Sequence, residues 1–251
     1  NCNILDMVKE PKISIITVCK NSSATIEETI KSIIKQNYNN IELIIIDGKS
    51  TDDTLKIIEK YKKNISSLVS EIDDGIYDGF NKGLKLATGD LIGFVNSGDT
   101  LTKESLNYLV KYYNDNQKAD FFFGAVRKHW GVLHGYKRWK IHFTWGFYSS
   151  HSTGFFIKRE AAKIVGKYNL KYKYSADYDY FYRMIIKHRL KGIGTKKEEV
   201  FGNFRRGGFS SQVKFFDHLV ECTRIRLDNK QNKIIILLTV IIKFLFNIKR
   251  L

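Results

Sequence analysis

Residues Ser70 to Asp99 read SEIDDGIYDGFNKGLKLATGDLIGFVNSGD, and the rest of the chain is organised around this stretch. It is acidic and glycine-rich, although the whole chain has a formal charge of +16. The apolar run Leu91–Val95, followed at once by Asn-Ser-Gly-Asp, predicts a buried strand with Asp99 at its carboxyl end. Because ligands of open α/β sheets bind outside the carboxyl ends of the strands, Asp99 is a candidate site residue.

Two strand-and-helix units precede this stretch. Residues 12–19 and 41–46 are short β-branched runs, typical of buried parallel strands. An amphipathic pattern over 26–34 predicts a helix after the first run. Thr25 and Glu28 fit a capping box at the start of that helix. This order predicts an α/β fold with a mostly parallel sheet and right-handed crossovers.

The second strand ends on Asp47, so two carboxylates are expected at one edge of the sheet. Asp47 alone is explained equally well as a cap of the next helix, whereas the pair favours a function. Asp99 suits Mg²⁺ or Mn²⁺, which takes one or two carboxylates and completes its shell with waters and substrate phosphates. Such an ion would neutralise a leaving diphosphate.

Downstream of Asp99 the pattern is less regular. It predicts helices over 104–113, 159–165 and 175–186, strands over 120–126 and 151–157, a loop over 202–211, and a basic helical segment from 215 onward. Asp177 and Asp179 fall at the N-terminal end of a predicted helix, where negative charge is favoured. From these residues alone, Asp177 is better explained as a helix N-cap than as a functional residue.

Composition limits the function classes. A charge of +16 and a pI near 9.6 predict attraction to polyanions: nucleic acid, an anionic membrane or phosphorylated ligands. The chain has neither zinc-ligand spacing nor an RNA-binding aromatic motif. Three widely spaced cysteines indicate no disulfide framework and fit a reducing cytoplasm.

Four motifs in order carry a resemblance. They are IIDGKSTD (residues 45–52), SEIDDGIYDGFNKG (70–83), ATGD (87–90) and FVNSGD (94–99). In residues and spacing they resemble family-two glycosyltransferases, above all the bacterial enzymes of capsule, exopolysaccharide and O-antigen synthesis. The resemblance implies a GT-A fold, the Rossmann-like fold of nucleotide-diphospho-sugar transferases.

The resemblance also implies roles for single residues. Asp47 matches the residue that binds the nucleotide base, with Thr17 nearby, and Asn96 to Asp99 matches the family Asp-x-Asp. Here Asn96 and Gly98 replace acidic residues, which leaves Asp99 as the metal ligand for Mn²⁺ or Mg²⁺. The remaining donor-binding residues implied by the motifs are Asp78, Asn81, Lys82 and Asn96.

The acceptor side is implied by later segments. Ala176-Asp177-Tyr-Asp179 resembles the family segment with the catalytic base, and its register favours Asp177 over Asp179. His151 resembles a family histidine near the acceptor, and Arg205 and Arg206 match a loop that closes over the substrate. Inverting sugar transfer needs such a base on the acceptor hydroxyl and neutralisation of the leaving phosphate on the opposite side.

The C-terminal tail is the last feature. Residues 234–242 are apolar but too few to span a bilayer, which takes about twenty. With Lys243, Lys249 and Arg250 beside them, they fit an interfacial helix, and a docked core helix is the alternative. We expect a catalytic domain over 11–214 and a helical segment over 215–251 that holds the protein at the cytoplasmic face of the inner membrane.

The sequence thus predicts an inverting, metal-dependent glycosyltransferase. It would use a nucleotide-diphosphate sugar donor and a lipid-linked saccharide acceptor, with no specific nucleic acid partner. One rival is a nucleotidyltransferase of similar fold, which would need a glycine-rich basic loop after the first strand, where residues 20–23 read Lys-Asn-Ser-Ser. The other rival is a nucleic-acid-binding protein, for which steep salt dependence would speak.

Overall fold

A computed structural model describes residues 9–143, 153–208 and 213–247. Its larger sheet has seven strands in the order β10-β6-β9-β4-β1-β2-β3. Their bounds are β1 (Ile13–Cys19), β2 (Ile41–Asp47), β3 (Ser67–Ser70), β4 (Leu91–Phe94), β6 (Phe121–Phe123), β9 (Phe155–Lys158) and β10 (Gly192–Gly194). All neighbours are parallel except β9, which is antiparallel to both β4 and β6. The mostly parallel α/β sheet predicted from the sequence is confirmed.

A smaller sheet continues from the first and has the order β5-β11-β7-β8. Its strands are β5 (Thr100–Leu101), β7 (Ala125–Lys128), β8 (Gly131–Leu133) and β11 (Val200–Asn203). The single strand predicted over 120–126 is therefore wrong: it divides between the two sheets at Gly124. The Phe201 ring packs on that glycine so closely that a Cβ there would lie 2.1 Å from the Phe201 Cγ.

Helices cover both faces of the larger sheet. In chain order they are α1 (Ile26–Ile34), α2 (Thr54–Glu59), α3 (Ile76–Leu86), α4 (Ser105–Asp115), α5 (Arg159–Val165), α6 (Ala176–Tyr182), α7 (Phe215–Asp228) and α8 (Lys233–Asn247). Alternate residues of β1 point to opposite faces: Ile15 belongs to a core cluster with α1 and α4, and Ile16 to one with α3 and α6. Burial on both faces explains the continuous apolar strands.

The capping box predicted at α1 is absent, since Thr25 makes no side-chain cap hydrogen bond there. Its Oγ1 instead lies 2.8 Å from Ser97 Oγ. The sequence pattern predicts that the Thr25 hydroxyl caps the helix, but this hydroxyl contacts the loop after β4 instead. The same loop is the one that ends on Asp99.

Of the two C-terminal helices, α7 packs on the sheet domain and α8 packs on α7. Cys222 and Ile225 of α7 are buried in the core cluster that includes α3 and α6. The guanidinium of Arg226, 1% exposed, donates to the His142 carbonyl and lies over the Tyr178 ring at 5.4 Å. The boundary at residue 215 stays a prediction.

Candidate active site

A cavity of about 980 Å³ opens at the carboxyl ends of β1 and β4. We call it the central cavity. Its wall includes the end of β1, the turn Asn96–Asp99, the loop 204–208, the start of α6 and one face of α7. The segments come from positions more than two hundred residues apart, and the parallel sheet brings them to one edge.

The turn Asn96–Asp99 is fastened to α1. Thr29 Oγ1 donates to the Asp99 carbonyl (2.8 Å) and accepts the Gly98 N–H (3.0 Å). Gly98 has φ +98°, a left-handed conformation that glycine adopts without strain. The side-chain Oδ1 of Asn96 is buried and, among the described residues, makes no hydrogen bond. Asn96 also lines the cavity, so the cavity wall includes a residue with a buried amide oxygen that has no partner in the described part of the chain.

Asp99 is 5% exposed and is held by both carboxylate oxygens. Oδ1 accepts the backbone N–H of Arg205 (3.0 Å), and Oδ2 accepts the hydroxyl of Thr153 (3.0 Å). The first of these bonds ties the loop 204–208 to the turn. Asp99 is thus both a cavity-lining carboxylate and a structural tie between two loops.

Asp177 lies on the cavity wall at the start of α6. The Tyr77 hydroxyl, from α3, lies 3.1 Å from Asp177 Oδ1 and 3.0 Å from the Tyr174 carbonyl. A phenol that contacts both holds the carboxylate in a fixed direction. Tyr77 itself is buried and stacks on Tyr168.

Asp179 has a different environment. It is 3% exposed, its Oδ2 accepts from Arg183 Nε at 2.8 Å, and its Oδ1 accepts from Asn229 at 2.9 Å. It does not line the central cavity. These contacts join α6 to the residues after α7.

Asp47 is fully buried at the end of β2. It accepts hydrogen bonds from Ser50 Oγ (2.5 Å) and Ser70 Oγ (2.6 Å), and Cys19 Sγ lies 3.7 Å away. Burial, together with the charge of Asp47, raises the pKa of the Cys19 thiol well above its usual range. Asp47 does not reach the cavity wall, whereas Asp73, at the end of the neighbouring β3 segment, does.

The other predicted donor-binding residues also lie behind the wall. Thr17 is fully buried, and its hydroxyl makes no hydrogen bond within the described part of the chain. Asn81 binds the backbone of Tyr168 through both amide atoms, at 2.9 and 2.8 Å. Lys82 pairs with Asp78 (3.1 Å) and Glu71 (3.0 Å). Of the predicted donor set, Asn96 lines the cavity.

Arg205 and Arg206 both line the cavity and are exposed to solvent. Arg205 lies 3.6 Å from Glu28 of α1. His151, predicted on the acceptor side, lies outside the described residues. The loop with its arginines therefore covers one side of the cavity, next to Asp99.

Several cavity residues escaped the sequence interpretation. They are Lys20, Asp73, Lys128, His218 and Cys222. Asp73 lies in the motif of residues 70–83 but was given no role there, and the other four belong to no local motif. The one available signal was a helical spacing: His218 and Cys222 are i and i+4 on α7 and so share a face.

His218 and Cys222 form a pair beside Asp177. Cys222 Sγ lies 3.6 Å from His218 Nε2 and 3.6 Å from Ser175 Oγ. The contact with Cys222 and the charge of Asp177 raise the pKa of His218, although burial opposes them. Burial would raise the pKa of Cys222, but His218 outweighs it and the thiol pKa is lowered.

Comparisons with known proteins agree with this fold. Residues 14–181 match the sequence model of the family described as glycosyl transferase family 2. The match covers most of the chain, and the chain belongs to that family. Family membership favours the glycosyltransferase prediction over both rivals.

The named relatives share low sequence identity with this chain. The PGL/p-HBAD biosynthesis glycosyltransferase of Mycobacterium bovis BCG is 28% identical over 184 residues, which cover 68% of each chain. The crystal structure of Staphylococcus aureus TarS 1–349 with UDP-GlcNAc superposes with a TM-score of 0.71 at 20% identity, over 86% of this chain and 66% of that one. The chain thus spans about two thirds of the TarS fragment.

A third similarity is to the mannosyltransferase PcManGT of Pyrobaculum calidifontis, solved with GDP-Man and Mn²⁺. Its TM-score is 0.68 at 14% identity, over 96% of this chain and 76% of that one. At such identities the structural matches speak for the fold alone. That fold is GT-A, as the motifs imply.

Proposed function

We propose that this chain transfers a sugar from a nucleotide-diphosphate donor to a saccharide acceptor, with inversion at the anomeric carbon. The observation that carries the proposal is that Asp177 and the turn Asn96–Asp99 line the same cavity. The chain that contains them is a member of glycosyl transferase family 2. One side offers a carboxylate to an acceptor, and the other side offers cations and amide groups to a diphosphate.

Asp177 is the proposed base. In a single displacement its carboxylate takes the proton of the acceptor hydroxyl while that oxygen bonds to the anomeric carbon and the bond to the leaving phosphate breaks. A positioned base of this kind contributes about 10²–10⁴-fold. The contact with Tyr77 and the position on the cavity wall support Asp177 over the ion-paired Asp179.

The donor-binding roles of Thr17, Asp47, Asp78, Asn81 and Lys82 remain proposals. All five lie behind the wall, so any effect on the donor would act through the loops that they hold. Asp47, for example, fixes the loop that begins at Gly48 through Ser50. Asn96 is the predicted donor residue that lines the cavity, and its buried Oδ1 has no hydrogen-bond partner among the described residues.

A divalent ion, Mn²⁺ or Mg²⁺, is part of the proposal. Within the described residues, acidic, histidine or cysteine side chains form no cluster of three that would hold an ion unaided. The buried, unbonded Oδ1 of Asn96 and the carboxylate of Asp99 fit an ion that takes most of its ligands from phosphates and water. Such an ion supplies charge neutralisation at the leaving diphosphate.

The acceptor is proposed to be a lipid-linked saccharide in surface polysaccharide synthesis, as for capsule, exopolysaccharide or O-antigen. The name of the mycobacterial relative, a PGL/p-HBAD biosynthesis glycosyltransferase, supports a role in biosynthesis. A poly(ribitol-phosphate) β-N-acetylglucosaminyltransferase, TarS, is another relative, 33% identical over 110 residues that cover 42% of this chain.

Helix α8 supports association with an anionic membrane surface at the cytoplasmic face. Within the described residues, no helix has the length and apolarity to cross a bilayer. Yet the outer face of α8 is apolar while its inner face holds Thr239 and Lys243, each less than 10% exposed. The exposed apolar residues are Ile234, Leu237, Leu238, Ile241, Phe244, Leu245 and Phe246. This inverted pattern is typical of an interfacial helix.

Thermal unfolding with a panel of nucleotide sugars, with and without Mn²⁺, tests the donor assignment. A ligand at 100 times its Kd stabilises the folded state by about 2.7 kcal/mol. For a chain of this size, each kcal/mol raises Tm by about 2–4 °C. We expect one nucleotide class to raise Tm by several degrees. If no UDP-, GDP- or dTDP-sugar changes Tm, the donor assignment is wrong.

A further inference from the structure

The turn Asn96–Asp99 offers little charge to a metal ion. Asn96 and Gly98 are neutral, and both oxygens of Asp99 already accept hydrogen bonds from Arg205 and Thr153. A divalent ion at this turn therefore finds one carboxylate, already hydrogen-bonded at both oxygens. Cationic side chains at the cavity would add positive charge where the leaving diphosphate develops negative charge.

The cavity wall carries positive charge of its own. Four basic residues line it: Lys20, Lys128, Arg205 and Arg206. The negative charge of Asp99 acts on Lys128. Arginine and lysine both bind phosphate, the first as a planar fork and the second as a point charge. The wall near Asp99 is thus suited to a doubly or triply charged anion.

Lys128 stands out among these cations. It lies at the end of β7, half-buried, with its Nζ 4.5 Å from the centroid of the Phe204 ring. Among the described residues it makes no ion pair, whereas Arg205 lies 3.6 Å from Glu28. Burial lowers the pKa of Lys128, because an amine without a carboxylate in contact is poorly solvated there. A bound anion would repay that cost.

We propose that Lys128 binds the diphosphate of the donor and of the leaving nucleotide. Cationic side chains of the protein then neutralise part of the negative charge of the diphosphate. With more carboxylates in the turn, a metal ion would neutralise that part. This inference rests on the proposed function. Its direct consequence is that a nucleoside diphosphate binds to the protein without any divalent ion.

Calorimetric titration of the full chain with UDP, GDP and dTDP tests this, in Mn²⁺ and in EDTA. We expect binding of one of them to persist in EDTA. Loss of a charge-assisted hydrogen bond in Lys128→Met should weaken it by about 10–100-fold. Lys128→Arg keeps the charge and should retain most of the affinity.

Lys158 provides a matched control. It is also half-buried, its Nζ lies 5.4 Å from the centroid of the Tyr113 ring, and burial lowers its pKa, but it does not line the cavity. Lys158→Met should bind nucleotide as the wild type does. Melting curves of all three variants identify any that fail to fold.

The outcomes separate the two claims. If the wild type binds a nucleoside diphosphate only with Mn²⁺, or if Lys128→Met binds as tightly as the wild type in EDTA, the inference about Lys128 is wrong and the proposed function stands. If none of UDP, GDP and dTDP binds under either condition, the proposed function fails, and this inference fails with it.

Discussion

Two aspartates two positions apart have opposite surroundings. Asp177 lines the cavity and contacts the Tyr77 hydroxyl, whereas Asp179 is buried against Arg183 and Asn229. From the sequence, the Asp-Tyr-Asp pattern left both as candidates and the family register favoured the first. The difference is set by α3 and by the residues after α7, which are distant in sequence.

We therefore expect Asp179→Asn and Asp177→Asn to differ in stability. Asp179→Asn leaves the guanidinium of Arg183 without its carboxylate. Since Arg183 still donates to the Val165 and Lys167 carbonyls, the loss is about 1–3 kcal/mol. Asp177→Asn keeps an oxygen for Tyr77 and should change the free energy of unfolding by less than about 0.5 kcal/mol. Urea unfolding measures both, and equal losses would contradict the assignment of a structural role to Asp179.

At the scale of elements, the sequence predicts best where burial is continuous. The bounds of β1 and β2 follow from their β-branched runs to within one residue. The division at Gly124 could not be predicted, since it depends on Phe201, seventy-seven positions away in the chain. Local periodicity contains no information about such a partner. For the same reason, the contact of the Thr25 hydroxyl with Ser97 could not be predicted.

Helix α8 gives the element-scale prediction. We expect Leu237→Glu with Leu238→Glu to reduce binding to phosphatidylglycerol vesicles by at least about tenfold, because each leucine buried in lipid contributes about 1.5–3 kcal/mol. Both residues are more than half exposed, so the free energy of unfolding should be unchanged.

Ile164→Glu serves as the control, since Ile164 is an equally exposed apolar residue on α5 (56% exposed). Vesicle flotation with both variants and with the wild type separates a specific surface from general hydrophobicity. The membrane assignment is wrong if the α8 variant floats as well as the wild type. It is also wrong if Ile164→Glu loses as much binding.

At the scale of the whole molecule, the sheet explains why a site exists at all. Residues 96–99, 128, 177, 205 and 218 come from separate elements, and strand ends and loops bring them to one cavity. The motifs were sufficient to predict the GT-A fold, and three of the residues that they single out, Asn96, Asp99 and Asp177, line the cavity. The motifs did not indicate Lys128 or His218, which belong to no contiguous pattern, and they gave no role to Asp73, which lies within the motif of residues 70–83. Side chains that meet only through topology are invisible to single-residue spacing.

Turnover of Asp177→Asn beside the wild type tests the central claim most directly. Release of nucleoside diphosphate would be followed at saturating donor in the presence of a saccharide acceptor, with donor affinity measured on the same samples. We predict that transfer falls by about 10²–10⁴-fold while the Kd for the donor stays within about twofold. A variant that retains wild-type turnover would contradict the claim that this cavity transfers a sugar with Asp177 as its base.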